Sequence, residues 1–204
     1  MDKYENIEFT FNSFDSVLEL EDHFKQVCNI YSDAIICFDY AYALEYPLDE
    51  AHKKIIGDYE PLQILKYTSS RLALIELTKL YKRDDFFSLI KLLNKLKNNH
   101  YGKFNDNNFN IELLNKRIEN LVISHEKTIG LRDMVFAHQD SRSKIKKTKV
   151  FEIGYNEVRN LFDETFSVLE QLHLMLKIAP YHKPIEKRRS NLQLGELLDS
   201  LLKD

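Results

Sequence analysis

Residues 16–46 read SVLELEDHFKQVCNIYSDAIICFDYAYALEY. Apolar side chains recur in this stretch at spacings of three and four: Val17, Leu20, Phe24, Val27, Ile30, Tyr31, Ala34, Ile35 and Phe38. That period lays them along one face of an α-helix, so the stretch predicts one long helix or a kinked pair. Asp15 or Ser16 stands where a cap would start it, and Pro47 stops it.

The same reading extends along the chain. Residues 61–81 predict a second helix, with Pro61 in its first turn. Its apolar residues, among them Leu62, Leu65, Leu72, Leu74, Ile75, Leu77 and Leu80, wrap most of the circumference, which is the pattern of a central helix. Asp84 is placed to cap a third helix ending near Lys97. The asparagine-rich stretch from Asn98 to Asn110 reads as an exposed loop. A fourth helix begins near Asn110 on the stripe Ile111, Leu114, Ile118, Leu121 and Val122, which His125 and Ile129 extend, and Gly130 can break or kink it. Residues 155–178 predict a strong helix on Val158, Leu161, Phe162, Thr165, Leu169, Leu172, Met175 and Leu176, ended by Pro180 and Pro184. A short amphipathic helix is expected over about 191–203, and Ile7 to Phe11 could form a short strand or an extended arm.

These elements predict an all-α fold, an antiparallel helical bundle with a short C-terminal helix. Residues 1–14 would be an N-terminal arm, 15–180 the bundle and 181–204 a basic tail. The 204 residues suit one domain and a real core without disulfides or structural metal. Five glycines and four prolines are too few for a sandwich or barrel that turns every ~8–12 residues. The start of the chain lacks a basic stretch followed by an apolar one, and no apolar run approaches ~18 residues. A protein without membrane spans, in the cytoplasm, is therefore expected. Cys28 and Cys37, nine residues apart, would lie about 13 Å apart along a helix, too far for a disulfide. Both read as buried, reduced thiols.

Charge is unevenly placed. Residues 1–50 hold 12 acidic and 2 basic groups, and the remainder 20 acidic and 27 basic. Two basic clusters stand out: Arg142, Lys144, Lys146, Lys147 and Lys149, then Lys183, Lys187, Arg188 and Arg189. Such clusters attract phosphates, although solvated loops of a lysine-rich protein look the same. The sequence has no Gly-rich phosphate loop, no GxSxG and no HExxH. Neither cysteine has a histidine at ligand spacing, so no metal site and no cofactor are expected.

The string Leu131-Arg132-Asp133-Met134-Val135-Phe136-Ala137-His138-Gln139-Asp140 carries chemistry instead. Continuing the fourth helix places Arg132 in the stripe of Ile118, His125 and Ile129, facing inward. A guanidinium there needs an anionic partner, which favours a cleft or an interface over a dry core. In an unbroken helix His138 points about 120° away from Arg132. The two converge only if the helix breaks or a second subunit closes the site. On the residues alone two other roles stay open: Arg132 bridging to a carboxylate on another helix, and His138 at a helix end favoured by the dipole. Arg71, mid-helix among apolar neighbours, calls for a structural partner on the N-terminal helices. Tyr40, Tyr42 and Tyr46 read as core or dimer packing.

Leu131 to Asp140 resembles the signature of the HEPN superfamily of all-helical proteins, an Arg and a polar residue, then a His a few positions on. The surroundings resemble its abortive-infection U-type branch, where a helix like Ser70-Arg71-Leu72-Ala73-Leu74 precedes the motif. The resemblance spans about residues 15–180 and is specific over the ten-residue motif. It implies a homodimer that cleaves RNA without metal by attack of the 2′-hydroxyl on the neighbouring phosphate. His138 would move the proton, Arg132 would hold the developing phosphorane charge, and Asp133 would orient one of them. Arg142, Lys144, Lys146 and Lys147 would bind RNA phosphates across the two-fold groove. As a toxin or phage-defence effector, the chain could also meet an antitoxin or companion protein. In members silenced by a nucleotidyltransferase, a Tyr two residues after the motif His is modified; here that position is Asp140, so that route is not supported. Two alternatives remain: a non-catalytic module binding RNA or a partner protein, and a structural helical dimer with the motif as an interface ion pair.

Overall fold

A computed structural model describes residues 8–47, 49–104, 111–124, 155–177 and 190–202. It contains β1 (Phe9–Phe11), α1 (Phe14–Glu45), α2 (Glu50–Asp58), α3 (Glu60–Lys79), α4 (Leu89–Lys97), β2 (Gly102–Phe104), α5 (Ile111–Ser124), α6 (Tyr155–Leu176) and α7 (Ser190–Leu201). The fold is an all-α helical bundle; its single described sheet is the two-stranded antiparallel pair of β1 and β2. The chain divides into two units. Unit 1 comprises Met1–Ile30 and Thr78–Pro184, and unit 2 comprises Tyr31–Leu77 and Ile185–Asp204.

In unit 1, the first half of α1 buries Leu20, Phe24 and Val27, the face that the apolar spacing marks. The helix starts earlier than Asp15 or Ser16 would set it, because the Ser13 hydroxyl accepts the Ser16 amide at 3.2 Å. α4 buries Leu89, Leu92, Leu93 and Leu96 and packs against α5, which buries Leu114, Ile118 and Leu121. Lys97–Glu112 and Arg117–Glu164 pairs lie across the α4–α5 and α5–α6 seams, the first at 3.3 Å. On α6 every residue that the sequence marks as core is buried, from Val158 to Leu176.

α4 is shorter than expected. Asp84 does not cap it; the Ser88 hydroxyl does, accepting the Lys91 amide at 3.1 Å. Ahead of it the chain turns so that the Leu89 amide bonds the Leu80 carbonyl at 2.9 Å, and the 84–88 stretch cannot be helical. The loop expected over 98–110 contains β2, which pairs Phe9 with Phe104, Thr10 with Lys103 and Phe11 with Gly102. Gly102 is required by close approach: a Cβ there would strike the Thr10 carbonyl oxygen and the Phe11 Cα.

In unit 2, the second half of α1 buries Tyr31, Ala34, Ile35, Phe38, Ala41 and Leu44. α2 is a nine-residue helix that apolar spacing does not announce, capped by Asp49, whose carboxylate accepts the His52 amide at 2.8 Å. Leu44, Ile56 and Leu62 form a cluster with Leu194 and Leu198 of α7. α3 is not the central helix that its composition predicts. Ala73, Leu74 and Leu77 are buried, whereas Ile64, Leu65 and Leu72 on the roughly opposite face are 57%, 38% and 43% exposed. Apolar composition all round the helix is thus met by packing on one side.

Among the described residues no helix is long and apolar enough to cross a membrane.

Candidate functional site

The motif residues Arg132, Asp133 and His138, and the phosphate-binding candidates Arg142, Lys144, Lys146 and Lys147, lie outside the described residues. So do His125, Lys149 and the 183–189 cluster. The described neighbours of the motif in sequence are α5, on whose stripe Leu114, Ile118 and Leu121 are buried, and the acidic first turn of α6. The Arg117 guanidinium holds Glu164 from Nε at 3.0 Å, joining these two helices by a fork-shaped, charge-assisted contact.

Two polar centres that apolar spacing does not mark are built in full. The first lies in unit 1. His23 sits on the buried face of α1 at 3% exposure, and its Nδ1 is 2.8 Å from the Tyr101 hydroxyl. Its Nε2 meets no hydrogen-bond partner among the described residues, and the Phe87 ring stands edge-on at 5.7 Å. Lys95 reaches Glu19 at 2.7 Å and hangs over the Tyr101 ring at 5.2 Å, while His100 Nε2 is 3.1 Å from Glu19.

Burial, then the nearby Lys95 cation, lowers the His23 pKa to about 4. Burial raises that of the Tyr101 phenol, with the Glu19 charge acting in the same direction. The Lys95 hydrogen bond holds the Glu19 carboxyl below its ordinary range. The centre is therefore a neutral imidazole–phenol pair inside the fold, beside a surface ion pair.

The second centre lies in unit 2. His52, 6% exposed in its side chain, sits between two carboxylates: Nε2 is 2.9 Å from Asp199 Oδ1 on α7, and Nδ1 is 3.4 Å from Asp49 Oδ2. It is the polar counterpart of the Leu194 and Leu198 contact and fixes how α7 lies on α2.

No family model, curated protein or solved structure matches this chain. Its functional reading therefore rests on its own residues.

Arg71 has its guanidinium 5.4 Å from the centre of the Tyr67 ring, a cation–π contact one turn away on its own helix. Tyr42 packs between Phe38 and Tyr46, at 6.0 and 4.9 Å, and Tyr40 borders the unit 2 cluster, both half-buried, whereas Tyr46 is 55% exposed. Cys28 is buried, and burial pushes its thiol up to about 12. Cys37, read from the sequence as buried, is only half-buried; burial and then the Asp33 and Glu76 carboxylates raise its thiol too. Neither is an activated nucleophile. Among the described residues no group of three His, Cys, Asp or Glu side chains is placed to hold a metal ion.

The signal for His23 was present in its position beside Leu20, Phe24 and Val27, where a histidine must find a polar partner. The partner, 78 residues on, has no marker in the sequence.

Proposed function

We propose that this chain is a metal-independent endoribonuclease of the HEPN type, acting in the cytoplasm as a homodimer in a toxin or phage-defence role. The observation that carries the reading is the string Arg132-Asp133…Ala137-His138 in an all-α chain. Cleavage would proceed by attack of the RNA 2′-hydroxyl on the adjacent phosphate, breaking the bond to the 5′-oxygen of the next nucleotide. That leaves a cyclic phosphate and a 5′-hydroxyl. His138 is the proton mover, since imidazole titrates near neutral pH and general acid–base help is worth about 10²–10⁴-fold. Arg132 stabilises the phosphorane charge, Asp133 orients one of the two, and Arg142, Lys144, Lys146 and Lys147 bind backbone phosphates without reading sequence.

Incubating a mixed RNA with wild type, His138→Ala and Arg132→Ala in EDTA tests this. Cleavage by wild type alone supports it. Equal activity in all three, or activity that requires added metal, overturns it. The basic cluster of 142–149 also favours a second reading, a helical module that binds RNA or a partner protein without cutting. Binding that weakens steeply with salt, without cleavage under any condition, would select that reading.

A further inference from the structure

The outer side of α3 is an apolar stripe. Pro61, Ile64, Leu65, Thr68 and Leu72 are all exposed, and they fall within about 100° of arc, turned away from the buried Ala73, Leu74 and Leu77. Thr68 adds no bare polar group, because its hydroxyl donates to the Ile64 carbonyl at 2.7 Å. The charged residues inside the helix are drawn off the stripe. Lys66 pairs with Glu45 of α1 at 3.1 Å. Glu76 stands close enough to Cys37 of α1 to act on its thiol. Arg71 keeps to the edge, where its guanidinium lies 5.4 Å from the centre of the Tyr67 ring. A contiguous apolar surface with its charges kept to the margins is one that another protein covers.

We propose that a second copy of this chain covers the stripe, α3 packing antiparallel on α3 about a two-fold axis at Thr68. The register is self-complementary. Ile64 and Leu72 stand four residues to either side of Thr68, so Ile64 of each copy meets Leu72 of the other, and the short Thr68 side chain at the axis lets the helices approach. The charges select the same occupant and its direction. α3 carries Glu60 in its first turn and Lys79 in its last. Antiparallel packing brings these unlike ends together and opposes the two helix dipoles, whereas a parallel pair would set like against like.

This gives a seam to the homodimer of the reading above; it rests on that homodimer and not on the nuclease chemistry. A single helix crossing is small beside the ~800 Å² that each partner gives to a standard interface, so the dimer is expected to dissociate in the micromolar range.

Sedimentation equilibrium of the full chain from about 1 to about 200 µM tests it. Wild type is expected to form a reversible dimer, and Leu72→Glu and Ile64→Lys each to weaken it by more than about tenfold. The double variant Ile64→Lys/Leu72→Glu sets Lys against Glu twice across the axis and is expected to recover the dimer. Within one copy the two positions are about 12 Å apart along the helix, so a pair inside the chain does not mimic that recovery. Dimerisation equal in all four proteins overturns the seam and leaves the homodimer standing. A wild type that stays monomeric throughout, its stripe covered by another protein or by another part of the chain, overturns both. Neither outcome bears on the RNA cleavage assay. Should a charged variant fail to fold, Thr68→Cys decides: under mild oxidation it is expected to give a disulfide-linked dimer that wild type, with Cys28 buried and Cys37 half-buried, does not, and absence of that product overturns the proposal.

Discussion

Among the described residues each unit buries one histidine at the junction of two elements distant in sequence, and the two are surrounded in opposite ways. His23 in unit 1 faces a phenol, an aromatic edge and a lysine. His52 in unit 2 faces two half-exposed carboxylates. The first ring joins its elements as a neutral hydrogen-bonded body. The second shares one hydrogen bond with Asp199 at 2.9 Å and stands 3.4 Å from the Asp49 carboxylate. What a buried histidine does in this fold is therefore set by its neighbours and not by its depth.

The largest effects that sharpen this comparison come from the apolar core of each unit. Leu93→Ala in unit 1 and Leu198→Ala in unit 2 each remove a fully or nearly fully buried side chain, and each is expected to destabilise its unit by about 2–5 kcal/mol in urea unfolding. Amide exchange should localise the second loss to α7 and α2, which meet at that cluster.

Next in size is Tyr101→Phe. It leaves His23 buried without its hydroxyl partner and is expected to cost about 1–3 kcal/mol, read as a lower midpoint at neutral pH. A neutral result would mean that the phenol is packing alone. The counterpart in unit 2, Asp199→Ala, should cost less than about 1 kcal/mol, because Asp199 is 62% exposed and its attraction to His52 is screened. A loss in Asp199→Ala larger than in Tyr101→Phe would break the comparison.

The smallest effect is chemical. With both thiols raised, alkylation at pH 8 should be slow, and half-buried Cys37 should react ahead of Cys28.

The long helices were legible because their apolar residues repeat with the helical period over many turns. α6 is read residue by residue, and α1 from Leu20 to Phe38. α2 was not legible: its interior burial rests on His52 and Ile56, too little for a period to show. α3 misled because its two faces are almost equally apolar, and nothing local says which one packs. β2 was hidden in an asparagine-rich stretch, since its reason for existing is the distant β1. The polar centres share that limit: His52 meets Asp199 147 residues away. The catalytic reading comes from the other end of the scale, ten consecutive residues whose types suit one reaction, and those residues lie outside the described part of the fold.

The ends left on a cleaved RNA test that reading most directly. In EDTA, wild-type protein is expected to leave a cyclic phosphate and a 5′-hydroxyl, and His138→Ala to leave the RNA intact. Products with 5′-phosphates, or identical cleavage by His138→Ala, would contradict it.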